Sequence, residues 1–186
     1  MAIASVRRAS REDVPDVVRI QLDTWRAAYA DLLPPDVLAG LDPGETGDAW
    51  REALDTSLVF VAVEGEWTVG FCAAGFAPDA ELADAGGSLP DDAPTVALIS
   101  TLLVEPRWGR RGHGGRLLAT TAQALRADGA TRGVAWVPEK DQASRTFYGG
   151  VGWQPDGTAR TLDAGGRPLR EIRLAGTLDL TLVDQS

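Results

Sequence analysis

The residues best placed to do chemistry lie in one stretch, Leu102 to Leu118 (LLVEPRWGRRGHGGRLL). An apolar run ends at Val104. Pro106 follows, then a turn rich in glycine and arginine, then a helical pattern. Glycines let backbone N–H groups approach and converge on an anion. A helix that opens on such a turn adds unsatisfied donors and partial positive charge. Arg110 and Arg111 add formal charge. The physical expectation is a pyrophosphate site made by Gly109, Arg110, Arg111, Gly112, His113, Gly114 and Gly115. The plain alternative is a basic turn that holds nothing. A dinucleotide fingerprint does not fit, because the turn is long and no second βα unit with a ribose-binding acid follows. A Walker loop does not fit either, because no Gly-Lys-Ser/Thr is present.

The elements that must position this loop are legible from periodicity. Ile3 to Arg8 reads as a strand. Ser10, ahead of Glu12 and Asp13, is a helix-start signature. Val14, Val18, Leu22, Trp25 and Tyr29 then recur at helical spacing until Leu33-Pro34-Pro35. A second helix runs up to Gly40 and a third spans Asp48 to Leu54. Ser57 to Val63 and Trp67 to Gly75 form a hairpin. Residues 77–94 read as a long, mobile surface loop. Val96 to Val104 is nearly all apolar, as in a strand covered on both faces. Gly112 to Asp128 is a helix capped by Gly129. Gly133 to Val137 is a strand and Asp141 to Gly150 a short helix. Two closing strands begin at Trp153 and Leu169, turned by Asp163 to Gly166. The order predicts an α/β (α+β mixed) fold in one domain, 1–186, with a tail over 177–186.

Composition limits the partners. The net charge is −9, which argues against nucleic acid, since phosphate backbones need a basic face. The basic residues are 17 Arg and Lys140 alone, a composition bias more than a binding signal. Cys72 is the only cysteine, which excludes an internal disulfide and fits a reducing compartment. The opening MAIASVRR lacks the apolar run of a signal peptide. No apolar stretch is long enough to span a bilayer. No metal is expected.

A second constellation stands at Asp141 to Trp153 (DQASRTFYGGVGW). With it, the chain resembles the GNAT superfamily of N-acetyltransferases. Val104, Pro106, Gly112, Gly114, Leu117 and Leu118 match that family's acetyl-CoA loop without a gap. Ser144, Phe147, Tyr148, Gly152 and Trp153 match the helix that follows it. Trp25-Arg26-Ala27-Ala28-Tyr29, with Leu32-Leu33-Pro34, is similar to one branch of the family. Two positions depart from the pattern. Gly109 stands where Arg or Gln is usual, and Asp141 stands where Asn is usual. Asp141 can accept a hydrogen bond from a pantetheine amide but cannot donate one.

The resemblance implies a GNAT fold, with a twisted mixed sheet of about six to seven strands that splays between strands 4 and 5. It implies that pantetheine lies in the gap like an added strand, held with Asp141, Ser144 and Phe147. The backbone N–H near Leu103 or Val104 would polarise the thioester. The amine of a small molecule or peptide would attack the thioester directly, so no enzyme nucleophile is needed. Tyr148 would protonate the departing thiolate. Trp25 and Tyr29 would wall the acceptor pocket, or simply pack their helix. No acid lies on Val96 to Val104, which leaves Glu105, Glu139, Asp31 or a water chain as the base. His113 is assigned to a phosphate contact or to solvent. Cys72, Trp136 and Trp153 are read as core. The lone cysteine and the lack of an apolar leader or span lead to the expectation of a cytoplasmic enzyme, and homodimers are common in the family. The second reading is a non-catalytic acyl-CoA-binding or interaction module on the same scaffold.

Overall fold

A computed structural model describes residues 4–180. The N-terminal Met1–Ile3 and residues 181–186 of the expected tail lie outside the described residues. The elements run β1 (Ala4–Arg8), α1 (Val14–Ala28), α2 (Pro35–Ala39), α3 (Pro43–Thr56), β2 (Leu58–Glu64), β3 (Trp67–Phe76), α4 (Asp79–Leu82), β4 (Val96–Val104), α5 (His113–Ala127), β5 (Arg132–Pro138), α6 (Gln142–Gly150), β6 (Gln154–Ala164) and β7 (Arg167–Thr177). Among these residues seven strands form one sheet, ordered β1-β2-β3-β4-β5-β7-β6. Every neighbouring pair is antiparallel except β4 and β5.

Period-two alternation sends successive side chains to opposite faces, and helices cover both. Val61 and Phe71 meet Val17 and Ile20 of α1 on one face. Ala62 and Cys72 meet Leu117, Leu118, Ala122 and Leu125 of α5 on the other. The expected stripe of α1 divides: Val14, Val18 and Leu22 pack beside Trp50 and Leu54 of α3, not on the sheet. The segment expected as a mobile loop, 77–94, carries α4. Leu82 of α4 is buried with Val96 and Val134. Arg173 donates to the carbonyls of Glu81 and Leu82.

Two local devices set the frame. Ahead of α1, Asp13 accepts from the Ser10 backbone N–H at 2.7 Å and from Arg7 at 2.7 and 2.8 Å. Burial alone would raise the Asp13 carboxyl, but these hydrogen bonds outweigh it and hold it below its ordinary value. Asp13→Ala should therefore cost about 1–3 kcal/mol in chemical denaturation. The contribution is complete above the ordinary aspartate range, near pH 4, and is lost as pH falls through the lower folded value. The second device is a slot. Gly133 of β5 and Gly176 of β7 face each other across the ladder, and the buried indole of Trp153 lies over both.

The parallel pair opens the sheet. β4 and β5 are matched only from Val96–Arg132 to Leu98–Val134, and beyond that they part. The register between β3 and β4 slips at Ala73/Ala74, where Ser100 is the extra residue. Its hydroxyl donates to the Ala73 carbonyl at 3.0 Å. Such a bulge bends a strand and increases its twist.

Candidate active site

A cavity of about 340 Å³ occupies the opening between β4 and β5. Ile99 to Leu103 form one wall and Trp136 to Pro138 the opposite one. Trp25 of α1 and Tyr29 at its C-terminal cap close it on one side, and Ser144 and Tyr148 of α6 line it as well. Trp25 and Tyr29 both face the cavity, half-buried, with ring centroids 6.1 Å apart.

The free backbone of β4 follows from alternation. The Glu105 N–H donates to the Val69 carbonyl at 2.9 Å, and the Leu103 carbonyl points at Gly70. Residues two apart bond in the same direction, so Leu103 and Glu105 address β3. Leu102 and Val104 then turn their peptide groups to the gap. Leu103 also lines the cavity and packs against the cluster of Val17, Ile20, Val61 and Phe71.

Beyond Val104 the chain makes a 3₁₀ turn, Pro106–Trp108, and the Gly109 N–H is spent on the Pro106 carbonyl. Gly109 therefore leaves the expected anion site, which begins one residue later. Among the described residues, no acceptor is found for the backbone N–H groups of Arg110 through Gly115. Arg110 and Gly112 both take left-handed backbone, φ 63° and 78°, and this curls the run into the first turn of α5. Six successive free donors at a helix N-terminus make an anion site. Arg110 is exposed beside them. Arg111 stacks 4.9 Å from the Trp108 ring centroid and bonds Glu64 at 2.9 Å.

His113 corrects its assignment. It is 2% exposed, and its Nε2 lies 2.7 Å from Glu64 Oε2. Neither phosphate nor solvent meets that ring; its backbone N–H alone serves the loop. Glu64 thereby holds two residues of the loop at once. Gly114 is also used in packing, since a Cβ there would lie 3.1 Å from the Phe147 ring. Phe147 packs on this turn and makes an edge contact with Tyr148 at 5.2 Å; it does not line the cavity. A Cβ at Gly115 would meet nothing within 4 Å.

Asp141 and Ser144 satisfy one another. Asp141 caps α6 by accepting the Ser144 N–H at 3.0 Å, and the Ser144 hydroxyl donates to it at 2.7 Å. The aspartate is explained as a helix cap. Tyr148 is 4% exposed, stacks on Trp153 at 5.3 Å, and presents one side to the cavity. Burial, reinforced by Cys72 and Tyr29, pushes its phenol well above the ordinary value, so it stays protonated. Burial, with the charges of Asp141 and Glu171, pushes Tyr29 up to about 12. Cys72 is fully buried and its thiol is pushed up to about 12.

None of the three acids considered as a base faces the cavity. Glu105 is buried between Arg19 and Arg107, at 2.6 and 3.0 Å. Glu139 pairs with Arg170 at 3.3 Å, and Asp31 is exposed. Among the described residues, the one charged side chain lining the cavity is Glu171 of β7. Sequence reasoning missed it. The only available signal was strand alternation, which places it on the face of Leu169, another lining residue. Trp136, read as core, is half-buried and lines the cavity.

A family model described as "Acetyltransferase (GNAT) family" matches residues 15–153. An uncharacterized N-acetyltransferase of Bacillus subtilis, YuaI, is 30% identical over 173 residues, which is 92% of this chain and 92% of that protein. The PaiA N-acetyltransferase of Thermoplasma acidophilum, solved in complex with coenzyme A, superposes with a TM-score of 0.69 at 14% identity, covering 91% of this chain and 98% of that one. Salmonella typhimurium yncA, solved with its cofactor acetyl-CoA, gives 0.68 at 18% identity, covering 96% of each chain. At these identities the two solved structures speak to the fold alone.

Proposed function

Because the chain belongs to the GNAT acetyltransferase family, we propose that it transfers the acetyl group of acetyl-CoA to an amine by direct attack in a ternary complex. The carrying observation is the run of free N–H groups from Arg110 to Gly115, which follows the strand that walls the cavity after the single turn Pro106–Trp108. The amides take the pyrophosphate, with Arg110 as the nearby free cation. Pantetheine adds as a strand along the open side of β4, bonding the peptide groups of Leu102 and Val104. The Val104 N–H polarises the thioester carbonyl, an oxyanion-type role. Asp141, Ser144 and Phe147 act on the cofactor indirectly, by fixing the start of α6 and the first turn of α5. Tyr148 donates to sulfur as negative charge builds there. Trp25 and Tyr29 wall the acceptor. No helix among the described residues is long and apolar enough to cross a membrane. A reducing cytoplasm suits the lone buried thiol.

The cofactor half is tested by calorimetry with acetyl-CoA, and the transfer by thiol release across a panel of amines. Gly112→Ala imposes the left-handed strain of about 1–2 kcal/mol on a residue with a Cβ. It should weaken acetyl-CoA about tenfold while α5 stays folded. Absence of heat with the wild type would remove the cofactor claim.

A further inference from the structure

The acceptor end of the cavity has an unbalanced charge. Glu171 Oε2 accepts from Arg160 Nε at 2.7 Å, and the same guanidinium bonds Glu81 at 2.8 Å. One guanidinium between two carboxylates leaves the trio with one negative charge in excess. No partner is found for Glu171 Oε1 among the described residues. Arg160 is also held 4.2 Å from the Trp136 ring centroid, so it is not free to serve a ligand. Register places Glu171 opposite Pro138 of β5 and Arg160 of β6, at the end of the gap where the strands are parted.

The rest of this end is apolar or neutral. Leu32, Leu33, Val37 and Leu169 line it with Trp25 and Tyr29. Burial, with the charges of Asp141 and Glu171, keeps Tyr29 a neutral phenol. No Lys or Arg lines the cavity among the described residues. An acceptor carboxylate would therefore be desolvated beside Glu171 with no cation to pair it, the arrangement by which sites reject a wrong partner. An ammonium meets the opposite situation.

We infer that the acceptor is a primary amine with an apolar body and no carboxylate, its ammonium drawn to Glu171. The inference rests on the transferase reading and narrows it. Glu171 acts here in recognition, setting which amines reach the thioester.

The test uses amines matched except for the carboxylate: 2-phenylethylamine against phenylalanine, tryptamine against tryptophan, and isoamylamine against leucine. Each is titrated calorimetrically into the full chain saturated with CoA. At least one carboxylate-free member should bind about a hundredfold tighter than its partner. Glu171→Gln keeps a hydrogen-bond acceptor for Arg160 and should narrow that preference to about tenfold or less, with acetyl-CoA affinity unchanged as the check on folding. The wild-type preference needs no variant, so a misfolded variant does not decide the matter. Equal binding within the pairs, binding of no pair member, or an undiminished preference in Glu171→Gln would overturn the inference while acetyl-CoA binding stands. Loss of acetyl-CoA binding by the wild type is a separate result, and it takes down the transferase reading with this inference.

Discussion

Tyr148→Phe should lower kcat by about 10²- to 10⁴-fold and leave acetyl-CoA affinity little changed. The variant removes one oxygen from a ring whose packing is otherwise secured by Trp153 and Phe147. No hydrogen bond to that hydroxyl is found among the described residues, so the fold gives up nothing when it goes. Burial sets the phenol well above the ordinary value of 10. An acid must be protonated to act, so the raised value extends its working range upward. The wild-type rate should show no alkaline decline from this group below about pH 10. The same shift makes complete transfer to a thiolate, near 8.5, uphill. Tyr148 therefore serves best as a hydrogen-bonded donor while charge develops on sulfur. A Phe variant that keeps the full rate across pH would end this assignment.

Gly176→Ala should cost about 3 kcal/mol or more, read as a shift in denaturation midpoint. The slot formed by Gly133 and Gly176 leaves no room for a methyl group. A Cβ at Gly133 would lie 2.5 Å from Trp153 Cη2, and one at Gly176 would run into Trp153 Cδ1. The indole cannot retreat, because its N–H donates to the Thr177 carbonyl at 3.0 Å and its other neighbour is Tyr148. Trimming the intruded ring offers a control. Trp153→Phe introduced into Gly176→Ala should recover part of the lost stability, since the two changes share one volume. Full additivity of the two losses would show that the slot is not the cause.

The parts legible in the sequence are those governed by local rules. Val104, Pro106 and Gly112 announce the end of a strand and the start of a helix by their own backbone preferences, and the structure puts both there. Tyr148 was singled out by the family resemblance, as were Trp25 and Tyr29 as pocket residues, and all three line the cavity. What stayed hidden depends on contacts distant in sequence. Glu105 looked available as a base because Arg19, its partner, lies 86 residues away. His113 looked exposed between glycines because Glu64, which buries it, sits on β2. Glu171 gave no signal: it stands in a strand carrying Arg170 and Arg173, and only the departure of β5 from β4 opens a cavity in front of it. Gly109 fell on the wrong side of a boundary set by a single 3₁₀ turn.

The buried position of Cys72 has a consequence for the bench. Release of CoA is commonly followed with a reagent that colours on meeting a sulfhydryl, and a protein's own cysteines blur such traces. Here the folded chain is silent, since its single thiol sits at 0% exposure between β3 and α5. Colour during turnover therefore counts product alone. In denaturant the same reagent finds one equivalent per chain. Its slow appearance without denaturant clocks how often the central strands come apart.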